Sequence, residues 1–549
     1  MKRLFLSILA LSLFAGTSQA LFVRLPDGTI RNGYVNTIGR ALAKPARRLP
    51  SDFSYLTPKA YFRIHYNTSG TAAVPPTDDN ASGVPDWVEF VGQSADSIRQ
   101  VYMDMGYTRT LDDAGGTLNG GGVEYDIYLT ELADDGVYGL TWFGPNGYMQ
   151  LDDDYAESIY VTSGKAALRV TLAHEMFHSI QFTYYDGAEW VWWMEATAVF
   201  MEDVLYPDIN DYWQYLSPTG FVDTFFENPT QSLYESGLTP NSAHMYGAAV
   251  FCHFLDQHDR VKGRSVIRET MERMAELRNG DVPVIAGVIE NRLGEPMNDL
   301  LARFWVWSYF TGDRTRPGFS FEDAEGYTSP PPNMLPKYQW VVEDLSTKGE
   351  SVGLHTVSPL GGWITQIDPD GSTGGIRITF SPQNDETENW SWRVAVASGY
   401  SVQIIEPDGD HVEIGGWDTY DDIIVVAGNG MTSGYARSFM ITATYDQSLT
   451  KPTPAEIELE LAQNQPNPFN VGTTLPFTLT EDANVTVRVY DVTGRLVRTL
   501  VRNAPYVAGY NTVAWDGLMR NGRKTGSGVY LARVVAGKAV RVRAMTLVR

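Results

Sequence analysis

The stretch Thr171-Leu172-Ala173-His174-Glu175-Met176-Phe177-His178-Ser179-Ile180-Gln181 governs the reading of this 549-residue chain. Leu172, Phe177 and Ile180 give it the apolar spacing of a buried amphipathic helix. An α-helix turns once in about 3.6 residues, so His174 and His178 project from one face and can place two imidazole nitrogens on one ion. Glu175 lies beside them, where a carboxylate can take a proton from metal-activated water. The plainer alternative is a structural histidine pair capping a helix.

A catalytic zinc site usually keeps three protein ligands and one open position. The third is expected after a turn at Asp186-Gly187, in the segment from Glu189 to Phe200. That segment is apolar nearly all round and predicts a buried helix. A lone carboxylate inside it is costly unless it meets a cation or a metal, which selects Glu195. Small Ala196 and Ala198 would let this helix lie close to the first. Glu189, Glu202 and Asp203 sit at the segment's ends and are expected to face water.

His174-Glu175-x-x-His178 with a glutamate on a following helix resembles the gluzincin metallopeptidases, and Trp192-Trp193-Met194-Glu195-Ala196-Thr197-Ala198 looks like their third-ligand helix. The spacing is a little shorter than theirs, and Val199 stands where some of them carry an acidic partner. Residues 61–310 resemble a group of secreted bacterial metallopeptidases that share segments like Phe62-Arg63-Ile64-His65-Tyr66 and Gly83-Val84-Pro85-Asp86-Trp87-Val88-Glu89. The resemblance implies one catalytic Zn²⁺ on His174, His178 and Glu195, with Glu175 as general base. His244-Met245-Tyr246-Gly247 resembles the segment where several gluzincins hold an oxyanion donor, so Tyr246 is the first choice for that role and His244 the second. The alternative is an ordinary helix start packing the core. His253 and His258 lie five apart, do not share a helix face, and are read as non-ligands.

Residues 1–20 carry Lys2-Arg3, an apolar run from Leu4 to Ala15 and a small-residue site at Ser18-Gln19-Ala20, the pattern of a secretory signal peptide. No later apolar run is long enough to span a bilayer, so no transmembrane helix is expected in the mature chain. Residues 21–55 read as a pro-segment or an extended arm. The single Cys252, in Val250-Phe251-Cys252, excludes an internal disulfide and reads as a small buried hydrophobe. A formal charge of -24 argues against nucleic acid as a partner.

Punctuation divides the rest. Tyr61 to Tyr66 alternates as a strand, Pro85 to Tyr107 has helical spacing, and Val123 to Leu129 and Gly147 to Leu151 read as further strands. Tyr148 to Leu151 is expected to edge a cleft where an extended peptide could add by backbone hydrogen bonds. Ser242–Leu255, Val266–Leu277, Val284–Leu293 and Met297–Tyr309 have helical spacing and would form a second lobe. Asp78 to Asp86, with Glu89, is read as an Asx-rich turn capping the following helix, with calcium as a secondary suggestion. Ser329-Pro330-Pro331-Pro332 is a stiff linker to residues 338–446, which alternate and turn as a β-sandwich, favoured as structural support.

Lys451-Pro452-Thr453-Pro454 leads to Asn464-Gln465-Pro466-Asn467-Pro468-Phe469-Asn470, Val485 to Asp491, Trp515-Asp516-Gly517 and Gly526 to Leu531. In order, over residues 457–549, these resemble the C-terminal sorting domain of type IX secretion cargo, a small Ig-like sandwich. A non-targeting Ig-like domain is the alternative. The resemblance implies the outer-membrane secretion machinery as a partner. It also implies export through the periplasm of a Gram-negative-type bacterium to the cell surface or medium.

The chain is thus expected to be multidomain α+β. A zincin-like peptidase over residues 56–328, with a mixed sheet lobe plus a helical lobe, would precede two all-β sandwich domains, the last Ig-like. Its expected function is zinc-dependent hydrolysis of peptide or protein substrates. The alternatives are a non-catalytic surface or adhesion protein with a structural or vestigial zinc site, and an aminopeptidase that anchors a free amine on Asp152 to Asp154.

Overall fold

In the computed structural model the alternation of Phe62–Tyr66 is resolved as a strand, next to the edge of a six-stranded sheet. The described residues are 18–20, 22–24, 30–32, 49–107, 122–135, 137–142, 147–157, 160–185, 187, 189–216, 225–235, 244–259, 262–316, 319–327, 341–342, 345–368, 371–383, 387–398, 401–450, 459–492, 494–520, 522–537 and 539–549. Most of the expected leader (residues 1–17) and both proline linkers, Ser329–Pro332 and Lys451–Pro454, lie outside them. Across the sheet the order is Phe53–Leu56, Phe62–Tyr66, Tyr125–Thr130, Tyr148–Asp152, Gly139–Trp142 and Ser18–Ala20. Phe62–Tyr66, Tyr125–Thr130 and Tyr148–Asp152 run parallel, and Gly139–Trp142 runs antiparallel to its neighbour.

Two helices cover this sheet. Asp86–Asp104 buries Val88, Val91, Ile98 and Tyr102. The Tyr102 hydroxyl donates to the Ala173 carbonyl at 2.7 Å, and its ring lies 5.4 Å from that of Phe177. This ties it to the second helix, Gly164–Tyr184, the histidine helix. Val191–Leu205, the glutamate helix, follows. Further helices run over His244–Gly247, Ala249–His258, Gly263–Leu277, Val282–Leu293 and Met297–Tyr309, close to the spacing seen in sequence.

The apolar run Ile423-Ile424-Val425-Val426 explains how the next region attaches. It lies in a five-stranded sheet ordered Ser401–Ile405, Trp390–Ser398, Asp422–Asn429, Gly362–Ile367 and Val341–Val342. Ile423 and Val425 join the sandwich core shared with a four-stranded sheet, whereas Ile424 and Val426 join the core of the preceding helices. Both faces are therefore buried, which is why the strand has no polar alternation. A fully buried Ile or Val contributes about 1.5–3 kcal/mol, so this second face is a substantial attachment. Residues 459–549 form a separate sandwich of three- and four-stranded sheets around Phe477, Val487, Trp515 and Val534.

These observations correct the expected fold class. The molecule is β-rich, with its strands in separate sheets of six, five, four, four and three strands plus a two-stranded ribbon, ending in an Ig-like domain. The helices are a modest part of it, and a zincin-like peptidase fold is not what these elements show. The physical reason lies in the range of the signal. A motif with a period of 3.6 residues fixes one helix and the face it presents, but says nothing of the frame around it. The expected cleft edge is corrected too. Tyr148–Asp152 is an interior strand, hydrogen-bonded on one side to Tyr125–Thr130 and on the other to Gly139–Trp142.

Candidate metal centre

The histidine helix is buried along most of its length, from Ala167 to Tyr184. Gln181 pins it to the glutamate helix, because its Nε2 donates to the Met194 carbonyl at 3.1 Å and to Thr197 Oγ1 at 2.8 Å. That pairing sets Glu195 opposite the imidazoles, with Oε2 3.3 Å from His174 Nε2 and 3.4 Å from His178 Nε2. The two rings are 4.5 Å apart and nearly perpendicular. All three side chains are fully buried, and one donor atom from each lies within 4.8 Å of the others.

The other ring nitrogens decide what these donors can hold. The Gln181 amide nitrogen donates elsewhere, so its Oε1, 2.7 Å from His178 Nδ1, accepts that N–H. In the neutral ring His178 Nε2 then carries a lone pair; it is buried without a hydrogen-bond partner, as is Glu195 Oε1. Lone pair and carboxylate facing each other in a dry interior repel unless a cation lies between them. Two imidazoles and a carboxylate are also a donor set that suits zinc. His174 Nδ1 is held in the same manner by Glu202 Oε1 at 2.6 Å. Ring-orienting partners of this kind fix the tautomer that a metal requires.

Burial, then His178, lowers the His174 pKa to about 4. On His178 burial opposes charge, but Glu195 and Glu175 outweigh it and raise the value. For Glu195 burial is again the largest influence, but the two histidines outweigh it and the net shift is downward. Burial, then Asp211 and Glu175, holds Glu202 well above the usual carboxylate range. A cation at the imidazoles would favour ionised Glu202 as acceptor of the His174 N–H.

Glu175 is fully buried on the same helix. Thr141 Oγ1 lies 2.6 Å from its Oε2 and 2.9 Å from its carbonyl oxygen. Gly139 lets this strand come close: a Cβ there would stand 2.6 Å from Thr171 Cγ2 and 2.9 Å from Glu175 Cγ.

Tyr246 and His244 lie buried on the short helix packed against the glutamate helix. Tyr246 sits against Tyr215, centroids 5.4 Å apart. His244 Nε2 donates to the Ser232 carbonyl at 3.0 Å and its ring stacks on Phe225, so it is engaged away from the imidazole pair. His258 pairs with Glu295 at 2.8 Å, and His253 stacks on Tyr212. Cys252 is buried, and burial raises its thiol pKa.

Glu202 and Asp203 do not face water, being 2% and 5% exposed, which corrects their reading as solvated ends. Glu202 and Gln181 were the partners missed. A signal existed for the first, since residues seven apart on a helix share a face and Glu202 is two turns beyond Glu195. The Asp78 segment is a hydrogen-bonded turn. Asp78 accepts from the Ser82 and Gly83 amides, Asn80 Oδ1 accepts from Ser82, and Asn80 Nδ2 donates to Glu89. Asp152, offered as an amine anchor, is wholly buried and accepts from the Leu132, Asp154 and Tyr155 amides and the Tyr160 hydroxyl.

Residues 464–539 match the family of FlgD Ig-like domains. No curated protein is similar to the sequence. Among solved structures, PorZ, a surface component of the type-IX secretion system of Porphyromonas gingivalis, is 20% identical over 20% of this chain and 14% of its own, with a TM-score of 0.12. Dimeric latent PorU of the same organism is 17% identical over 36% of this chain and 18% of its own, with a TM-score of 0.15. A glycoside hydrolase domain of Endo-D from Streptococcus pneumoniae R6 is 9% identical over 36% and 37%, with a TM-score of 0.14. The chain spans under a fifth of PorZ and PorU, and none of these likenesses extends to the molecule as a whole.

Proposed function

We propose that the chain is a secreted zinc-dependent peptidase. The observation that carries this reading is His178 Nε2, buried without a hydrogen-bond partner and set with His174 Nε2 against the Glu195 carboxylate. His174, His178 and Glu195 would hold the ion, with Glu202 and Gln181 fixing the rings. Zinc bound there supplies a Lewis acid for the attacking water and the peptide carbonyl.

Glu175, adjacent in sequence to His174 and braced by Thr141, is the base that takes the proton of the attacking water. The same carboxyl then delivers that proton to the leaving amine. Tyr246 is the candidate donor to the carbonyl oxygen as charge develops there, and His244, tied to Ser232, is the weaker one.

Metal analysis with a casein or peptide-library digest tests the reading. Glu175→Gln should keep zinc and lose hydrolysis, whereas Glu195→Ala should lose zinc. Zinc at full occupancy in Glu195→Ala would defeat the ligand set, and undiminished cleavage by Glu175→Gln would defeat the base. Comparing blocked and free peptide N-termini separates endopeptidase from aminopeptidase action.

The Ig-like domain, together with the ordered motifs of residues 457–549, supports a second part of the proposal. This domain addresses the chain to the type IX machinery for delivery to the cell surface or medium. Removing residues 457–549 should leave the protein in the periplasm. Normal delivery without them would exclude this role.

A further inference from the structure

Two adjacent parallel strands end in acids. Thr130 pairs with Asp152 across the ladder, so Glu131 follows one strand while Asp153 and Asp154 follow the other. Donor oxygens of Glu131, Asp152 and Glu157 lie within 4.8 Å of one another, as do those of Asp152, Asp153 and Asp154. Among the described residues no lysine or arginine forms an ion pair with any of the five.

The independent observation is Asp153. It is only 4% exposed, and its Oδ1 has no hydrogen-bond partner. Glu157 Oε2 is likewise buried and unpartnered. A buried carboxylate oxygen without a donor is costly, and clustering it with other acids adds repulsion. Asp152 does not share this predicament, since amide and hydroxyl donors already serve it and lock it as the pivot of the cluster.

We propose that Glu131, Asp152, Asp153, Asp154 and Glu157 form a calcium site, separate from the proposed zinc centre. Calcium takes about six to eight oxygen ligands in flexible geometry, which carboxylates on two strand ends and a loop can supply with water. Burial, then Asp152 and Asp154, pushes the Asp153 pKa up to about 7. The same loop runs on into the histidine helix at Gly164, so a cation here would staple both strand ends to that helix's approach.

The test is CaCl₂ titration of the full chain in calcium-free buffer at pH 8, followed by calorimetry and thermal unfolding. Binding is expected on the order of 10⁻⁴ M, with the unfolding midpoint raised by about 3 °C at saturation. Asp153→Asn and Glu131→Gln should each weaken binding at least tenfold. Without calcium, Asp153→Asn should unfold at a higher temperature than the wild type, and with calcium at a lower one. No binding by the wild-type chain at 10 mM CaCl₂ would overturn the proposal (a concentration about a hundredfold above that expected constant). So would unchanged binding by both variants. Should one variant fail to fold, the wild-type titration and the other variant still decide.

Discussion

Gln181 holds two helices and one imidazole at once, through three hydrogen bonds of 2.7–3.1 Å. Glu202 does the equivalent for His174. Ring-orienting partners typically cost 10- to 100-fold in metal affinity when lost. At the proposed zinc centre, Glu202→Gln should therefore lower metal affinity by about that factor, as read by chelator competition, while leaving far-UV circular dichroism unchanged. Asp203, beside it, bears on stability. Burial, then Asp323, raises its pKa to about 7. The folded state thus binds this proton more tightly than the unfolded chain, whose Asp titrates near about 3.9. The stability contributed is full below that lower value and is lost as pH rises through about 7. Asp203→Asn should raise the unfolding midpoint at pH 8 by about 2 °C or more and change it little at pH 4. An equal shift at both would refute the assignment.

At the scale of the element, the histidine and glutamate helices were legible because one carries paired histidines at helical spacing and the other a single acid in an apolar run. The strand Gly139–Trp142 was not. Four residues give too short an alternation to register, so from sequence Tyr148 to Leu151 reads as the cleft edge in its place. Yet the overlooked strand carries Thr141 to Glu175, and its glycine sets the approach. Gly139→Ala should cost about 1–3 kcal/mol in denaturant unfolding, since Thr171 is β-branched and cannot easily yield. If the chain is the proposed peptidase, its activity should fall further than its stability, because the added methyl would press on Glu175 Cγ. A variant with full stability and full activity would show that the strand does not brace the base.

For the whole molecule, local pattern could not reveal how the regions assemble. The run Ile423–Val426 suggested a buried strand, but only the structure shows alternate residues serving two different cores. Gly428 and Gly430 come so close to the helix Met297–Tyr309 that a Cβ at either would meet Leu301 or Asn298 at under 3 Å. A chain ending at residue 327 should therefore expose the face that Ile364, Ala395, Ile424 and Val426 now cover. We expect it to aggregate or to melt well below the full chain, by light scattering and calorimetry. The last domain is joined differently, through Arg502 and Arg520 to Glu322 and of Arg520 to Asp323. Its loss should leave the midpoint of the remainder nearly unchanged.

The two proline-rich connectors, alike as text, would thus answer a protease in opposite ways. A nick between residues 328 and 338 should yield fragments that co-migrate under native conditions and part only in detergent, clamped by a sheet with no wetted side. A nick between residues 451 and 458 leaves a basic tail domain moored by two arginines, Arg502 and Arg520, which moderate salt should release. Processing that separates the last domain from an intact remainder therefore has one safe place to cut.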